Sequence, residues 1–256
     1  MFVCWRPPEP VDVGADAAVG AEAMAAPAPE YLFDPSDKPA LPLHDVPLIV
    51  ATDESVRGYG ALVEHPDDIE IEIVRWPATG WRQVDEDSGD EAGWVEGTFH
   101  GEWQGDVLFG RNDSVSGHYV LGWSTTDPAA SRTDRQTAGR ERVVLWHLNY
   151  HPDGGQLFFP KDKSPFVVPV ALPGDDLAAE QVIAFWCDGS RGLYIHPGIW
   201  HDGIFPVSDH QRFLDRQGRV HARVSCDLAS EFGHYCLLYT SPSPRDATLS
   251  RMPSSA

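Results

Sequence analysis

Trp146-His147-Leu148-Asn149-Tyr150-His151-Pro152-Asp153-Gly154-Gly155-Gln156-Leu157-Phe158-Phe159-Pro160 is the stretch on which the fold turns. Two apolar runs flank a Pro-Asp-Gly-Gly composition, which marks strands joined by a turn rather than a helix. His151 and Gln156 are expected on adjacent strand ends with both side chains inward, and Asn149, two residues before His151, shares its face. A second segment, Asp188-Gly189-Ser190-Arg191-Gly192-Leu193-Tyr194-Ile195-His196-Pro197-Gly198-Ile199-Trp200-His201, has the same ingredients: an apolar run, a Gly/Pro turn and histidines. The two segments read as halves of one small-molecule site, because small β-barrels converge side chains from several strands on their interior.

Working outward, short apolar runs recur at 46–51, 58–63, 70–76, 97–103, 107–110, 119–123, 143–150, 155–159, 166–171, 182–186, 192–195 and 220–227. Gly, Pro and Asp punctuate them, so the expectation is an all-β barrel or sandwich. The run at 70–76 alternates acid and apolar (Glu70, Ile71, Glu72, Ile73), as a half-buried strand does. Helix signals are sparse, and 175–180 with Asp175 or Asp176 as cap is the best short candidate. Residues 1–43 are rich in Pro, Ala and acid and are expected to be a disordered lead, with Met24 an alternative start. An acidic turn region follows at 85–93, and a polar loop with Arg132, Arg135, Arg140 and Arg142 at about 125–142. The tail 236–256 reads CLLYTSPSPRDATLSRMPSSA. It lacks periodicity and resembles translated sequencing-adapter read-through, so the folded domain is expected over 44–235 and the tail is set aside.

The chain has 256 residues, 42% of them hydrophobic, enough for one large β domain or two small ones. Asp and Glu number 39 against 19 Lys and Arg, a formal net charge of −20. A phosphate backbone or an anionic membrane face would be repelled, so the expected partner is a small molecule, with no nucleic acid and no membrane. Lys38, Lys161 and Lys163 are the only lysines; the remaining cations are arginine, the better fork for a carboxylate. Cys4, Cys187, Cys226 and Cys236 form no CxxC pair, and Cys187 and Cys226 lie in apolar runs, so they read as reduced core residues. No apolar stretch approaches the ~20 residues of a membrane span. The lead has no h-region, so the expectation is a soluble, cytoplasmic protein.

His151, Gln156 and His201 make a His/Gln/His set. A neutral imidazole is a good ligand for nickel, zinc, manganese or iron, whereas an amide carbonyl is a weak one. The competing reading of each histidine is a satisfied buried polar group. Trp200 reads as a wall of the core, and Tyr194 lies on the face of His196. His100 and His118 fall among strands of the N-terminal half, while His44, His65, His210 and His234 read as loop or surface residues.

The run 156–176 (QLFFPKDKSPFVVPVALPGDD) and the run 183–207 (IAFWCDGSRGLYIHPGIWHDGIFPV) resemble the ureidoglycolate lyase family. The family pattern H-P-x-G-x-Q-x-F-x-P, then P-F-x-V-x-V-A, then D-G-x-x-G-x-x-x-H-x-x-x-W-H is matched at 151–160, 165–171 and 188–201. The resemblance is specific over 143–235 and weaker over 46–123, where Gly97-Thr98-Phe99-His100-Gly101-Glu102-Trp103 would supply the opposite wall. It implies a cupin-like β-barrel or double-sheet jelly roll with few short helices. In cupin terms His151 and Gln156 stand at the second histidine and the glutamate of the first motif, Asn149 at its first histidine, and His201 at the histidine of the second. The family is linked to a divalent metal, nickel by usual assignment, with manganese or none as alternatives.

The resemblance implies a lyase cleaving ureidoglycolate to glyoxylate and urea in allantoin and purine breakdown, and a homodimer. It gives His201, supported by Asp202, the role of base, and His196 or His151 that of acid. Lys161, Arg191 or backbone amides would clamp the substrate carboxylate, with Tyr194 and Asn149 in the binding wall. Two departures stand out. The tyrosine before His196 is Ile195 here, with Tyr194 one place earlier, and Asp202 replaces the last histidine of W-H-H. Rival readings are an amidohydrolase releasing ammonia and a non-catalytic binder of a small carboxylate.

Overall fold

The structure is a computed structural model that describes residues 37–85, 93–125, 140–219 and 222–242. The lead before residue 37, most of the acidic turn region, the loop at 126–139 and the tail from 243 lie outside the described residues.

Strand-forming sequence dominates. The strands are β1 (Leu43–Asp45), β2 (Leu48–Val50), β3 (Gly60–Val63), β4 (Trp94–Gln104), β5 (Val107–Asn112), β6 (Gly117–Ser124), β7 (Arg142–Leu145), β8 (His147–Tyr150) and β9 (Gln156–Pro160). They continue as β10 (Phe166–Ala171), β11 (Ile183–Cys187), β12 (Gly192–Ile195), β13 (Trp200–His201), β14 (Phe205–Pro206), β15 (His210–Gly218), β16 (Val224–Asp227) and β17 (Tyr235–Tyr239). One sheet has ten strands in the order β1-β17-β7-β6-β5-β4-β15-β9-β12-β3; the other has seven, β16-β8-β13-β10-β11-β2 with β14 paired to β10. Most pairs are antiparallel, β1 with β17 and β2 with β11 being parallel. The expected all-β class and double-sheet arrangement hold. A closed barrel does not: among the described residues both sheets stay open.

The two sheets meet through aromatic side chains. Phe213 of β15 packs edge-on to Phe166 of β10 with ring centroids 5.0 Å apart, and within the ten-stranded sheet Phe99 of β4 stands edge-on to Phe158 of β9 at 5.5 Å. Every residue of β10 is buried, as expected of a strand covered on both faces. β15 alternates instead: Gln211, Phe213, Asp215 and Gln217 face in, while the residues between them are exposed or half-buried.

Several sequence expectations are corrected. The run at 143–150 is two strands, because at Trp146 the chain leaves the ten-stranded sheet and enters the other. Trp146 anchors that crossing by donating its indole N–H to the Val120 carbonyl at 2.8 Å. The segment around Ile73 makes only an isolated bridge to Gly154. Its amide and carbonyl groups bond the turn at Asp153 and Gly155, so it lies along a loop and never joins a sheet. The helix expected at 175–180 is replaced by a single 3-10 turn, Ala179–Gln181. A short helix, α1 (Leu228–Phe232), forms elsewhere: the Asp227 side chain accepts from the Ser230 amide, and Gly233 closes the end at φ 69°.

The domain limits also move. β1 begins at Leu43, and β17 carries on through Tyr239, past the expected limit at 235. Cys236, Leu237 and Leu238 are buried; all three pair with β7, and Cys236 and Leu237 pair with β1 on the other side. Cys187, Cys226 and Cys236 are free and buried, as the composition suggested for the first two.

Candidate functional site

The side chains of His147, Asn149 and His151 project from one face of β8 and the residue after it, a consequence of period-two alternation. His201 pairs with Asn149 in the neighbouring strand and shares that face. The turn at 152–155 then carries the chain across to the opposite sheet rather than back as a hairpin, and Gln156 begins β9 there. The expected convergence of His151, Gln156 and His201 is therefore real, but it spans two sheets.

The contacts are specific. The His201 and His151 rings lie 5.1 Å apart, and His201 Nε2 is 3.1 Å from Gln156 Oε1. On its other side, His201 Nδ1 donates to the Ile199 carbonyl at 2.7 Å. His151 Nδ1 donates to the Ala222 carbonyl at 3.0 Å. Gln156 Nε2 in turn donates to Asp215 Oδ1 at 2.6 Å. Asp215 also accepts from Ser114 at 2.6 Å, Gln217 at 2.7 Å and Asn112 at 3.1 Å.

Burial governs the electrostatics. It drives the His201 pKa down to about 3, with the neighbouring His151 adding to the fall. It raises the Asp215 carboxyl, against the pull of its four donors. In neutral His201, Nδ1 carries the proton given to Ile199, so Nε2 presents a lone pair. That lone pair faces the Gln156 carbonyl oxygen, another acceptor, and a cation shared between the two relieves the mismatch. Two imidazoles and an amide oxygen thus fit a divalent metal, His151 and His201 giving nitrogen and Gln156 oxygen. Among the described residues no group of three or more His, Cys, Asp or Glu side chains is gathered for a metal.

Beside this set lies a second polar group. Asp202 does not orient His201, the role expected for it. Its Oδ1 accepts from the Gly203 amide at 2.8 Å, and its Oδ2 lies 3.9 Å from His147 Nδ1. That oxygen is buried with no hydrogen-bond partner, as are Asn149 Oδ1 and Gln217 Oε1. Burial pushes Asp202 up to about 8 and His147 down to about 4. Arg223, whose Nε donates to Asp85 at 2.7 Å, acts electrostatically on His147, Asp202 and Tyr119. Tyr119, pushed up to about 12 by burial, feels both Asp215 and Asp202, so the two polar groups border one region.

Other expected site residues lie elsewhere. Tyr194 packs with Val63 and Leu157 in a small cluster away from the main core, its hydroxyl accepting from the Glu72 amide at 3.1 Å. His196 is half-buried, 4.0 Å from Glu72 and edge-on to Tyr194. Lys161 donates to the Thr98 hydroxyl at 2.7 Å, and Arg191 pairs with Asp53 at 2.8 Å. Neither cation reaches His201. His100 lies against Asp113 and Arg111 instead of the site. Missed from the sequence were Asp215, Asn112, Ser114, Gln217, His147, Tyr119 and Arg223. The alternation Gln211, Phe213, Asp215, Gln217 is a strand signal that would have exposed Asp215 as a buried acid.

Residues 126–230 match the ureidoglycolate lyase family. The resemblance seen in the sequence stands over this stretch, and the chain is similar to curated ureidoglycolate lyases. That of Azotobacter vinelandii is 39% identical over 87 residues, 33% of this chain and 51% of the relative. That of Pseudomonas savastanoi pv. phaseolicola is 34% identical over 104 residues, 40% of this chain and 59% of the relative. The chain thus spans about half the length of the curated ureidoglycolate lyases it matches. Among solved structures, procruciferin, an 11S globulin from Brassica napus, aligns at a TM-score of 0.23 and 13% identity over 34% of this chain and 22% of that one, too slight a likeness to bear on function.

Proposed function

We propose that the chain is a lyase that cleaves ureidoglycolate to glyoxylate and urea, a step of purine-nitrogen breakdown. One observation carries this reading: His147, Asn149, His151, Gln156, His201, Asp202, Asp215 and Arg223 fall inside the stretch matching the ureidoglycolate lyase family, while Asn112, Ser114 and Tyr119 precede it. In the reaction the substrate hydroxyl loses its proton, its oxygen forms the new carbonyl, and the carbon–nitrogen bond breaks. The electron pair leaves with the urea nitrogen, which takes up a proton.

Asp202 and His147 face each other at 3.9 Å and are the pair suited to the two proton transfers. One accepts the hydroxyl proton and the other protonates the departing nitrogen. The unpartnered oxygens of Asn149 and Gln217 suit the N–H donors of a ureido group. Arg223, in place of Lys161 or Arg191, is the cation positioned to grip the carboxylate. When bound by His151, His201 and the Gln156 carbonyl, a divalent metal such as nickel or manganese would supply Lewis-acid polarisation of a substrate oxygen. A homodimer in the cytoplasm completes the proposal, and sedimentation of the intact chain checks the oligomer. Among the described residues no helix is long and apolar enough to cross a membrane.

The test is product analysis. The chain is incubated with racemic ureidoglycolate, with and without nickel or manganese, and glyoxylate, urea and ammonia are measured together. Glyoxylate with equal urea is the expected result. Ammonia in place of urea makes the protein an amidohydrolase, and tight binding without turnover makes it a binder; either outcome ends the lyase reading.

A further inference from the structure

We infer that Asp215 is a positioning residue that sets which end of the Gln156 amide meets His201. The inference rests on His151, Gln156 and His201 being the cation-holding set, and it concerns a residue outside that set. Gln156 has two chemically different ends, a carbonyl oxygen that can hold a cation and an amide nitrogen that repels one. Nothing in the local sequence chooses between them. The Asp215 carboxylate oxygen, 2.6 Å from Gln156 Nε2, does. A carboxylate oxygen without a proton can only accept, so it captures the NH2 end and turns the carbonyl toward His201, where the separation is 3.1 Å.

Asp215 is itself held. It is fully buried, and Gln217 at 2.7 Å, Ser114 at 2.6 Å and Asn112 at 3.1 Å all bond its second oxygen, leaving Oδ1 to Gln156. Asn112 is fixed in turn, its carbonyl accepting from the Ser114 amide at 3.0 Å. The residues come from β5 and the turn after it, β9 and β15, strands of the ten-stranded sheet that run in the local order β5-β4-β15-β9. Four donors match the roughly four acceptor sites of a carboxylate. The three on the far oxygen also hold the near oxygen in one place, the outer support that metal-holding side chains require.

Calorimetric nickel titration of the intact chain tests this through affinity rather than turnover. Asp215→Asn presents Gln156 with an amide that no longer selects the NH2 end, and nickel affinity is expected to fall roughly 10- to 100-fold. Adding Gln156→Glu to that variant restores an oxygen toward His201 whichever way it turns, with the newly introduced amide as its donor, and affinity is expected to recover. Gln156→Glu alone sets two carboxylates face to face and is expected to bind nickel less well than the double variant. Equal effects of Gln156→Glu in the two backgrounds overturn the inference, as does unchanged affinity in Asp215→Asn.

If Asp215→Asn does not fold, the double variant carries the test: folded with nickel affinity near wild type, it supports the inference, and folded without that affinity it overturns it. If neither folds, the wild-type chain decides. Its 15N-labelled Gln156 amide protons must remain hydrogen-bonded and slow to exchange while added zinc shifts His201 Nε2; fast exchange overturns the inference. A wild-type chain that takes up neither nickel nor zinc overturns it as well. Because no arm uses ureidoglycolate, a failed lyase assay and a failed nickel titration are distinct results.

Discussion

At the scale of single residues, burial decides what each polar group can do. Asp202 and His147 face each other, and burial pushes their pKa values past one another, Asp202 up to about 8 and His147 down to about 4. Replacing a positioned acid or base costs roughly 10²- to 10⁴-fold in rate. Asp202→Asn is therefore expected to lose glyoxylate production by that factor, while His196→Ala, half-buried beside Glu72 and Tyr194 and outside the polar face, keeps it. Steady-state kinetics on the two variants checks both halves. A different kind of residue effect holds the outside of the site. Arg82 donates to both oxygens of Glu231, at 2.8 and 2.5 Å, and its guanidinium lies 5.2 Å over the Trp200 ring. Arg82 holds Glu231 below its ordinary value of 4.5. A depressed carboxyl stabilises the fold above its unfolded pKa and ceases to as pH falls through the folded one. Glu231→Gln should thus cost about 1–3 kcal/mol at neutral pH and progressively less on acidification below 4.5, read from urea unfolding across pH.

At the scale of elements, β17 is the strand whose sequence says least and whose packing matters most. Cys236 and Leu237 sit between β7 and β1 and Leu238 pairs with β7, all three buried. Burying a leucine side chain stabilises by about 1.5–3 kcal/mol, and the lost strand pairing adds to that. Ending the chain after residue 235 is expected to cost on the order of 5 kcal/mol relative to ending it after residue 242. Thermal unfolding of the two truncations measures the difference. The elements also show where strand patterns mislead. Ile71 and Ile73 alternate with exposed Glu70 and Glu72 as a strand would, yet the segment pairs only with a loop. Alternation reports that one side is covered, not that a neighbouring strand covers it.

At the scale of the whole molecule, the site depends on the two sheets keeping their spacing, because His201 and Gln156 approach from opposite sheets. Phe213 and Phe166 hold that spacing nearby, edge to face. Phe213→Ala should lose about 3–5 kcal/mol of stability, as truncation of a buried aromatic usually does. Because Phe213 lies two residues from Asp215 on the same strand face, the variant should also weaken nickel binding where the fold survives. Chemical denaturation followed by calorimetry on the folded fraction measures both.

The sequence by itself determined what period and composition can encode. Those are the all-β class, most strands from Gly60 to Ile195, the shared face of Asn149 and His151, the free buried Cys187 and Cys226, and the resemblance to the ureidoglycolate lyase family from residue 143 on. Each depends on neighbours in the chain, where alternation and turn chemistry act over a few residues. Only the tertiary structure decided that the run at 143–150 splits between sheets, and that Asp202 turns to His147 and not to His201. It alone decided that Lys161, Arg191, His196 and Tyr194 lie outside the polar face. Asp215 is the clearest case, for its partners Asn112, Ser114 and Gln156 stand 103, 101 and 59 residues away. Such contacts are set by which strands the sheets bring side by side, and no local pattern in the chain carries that choice.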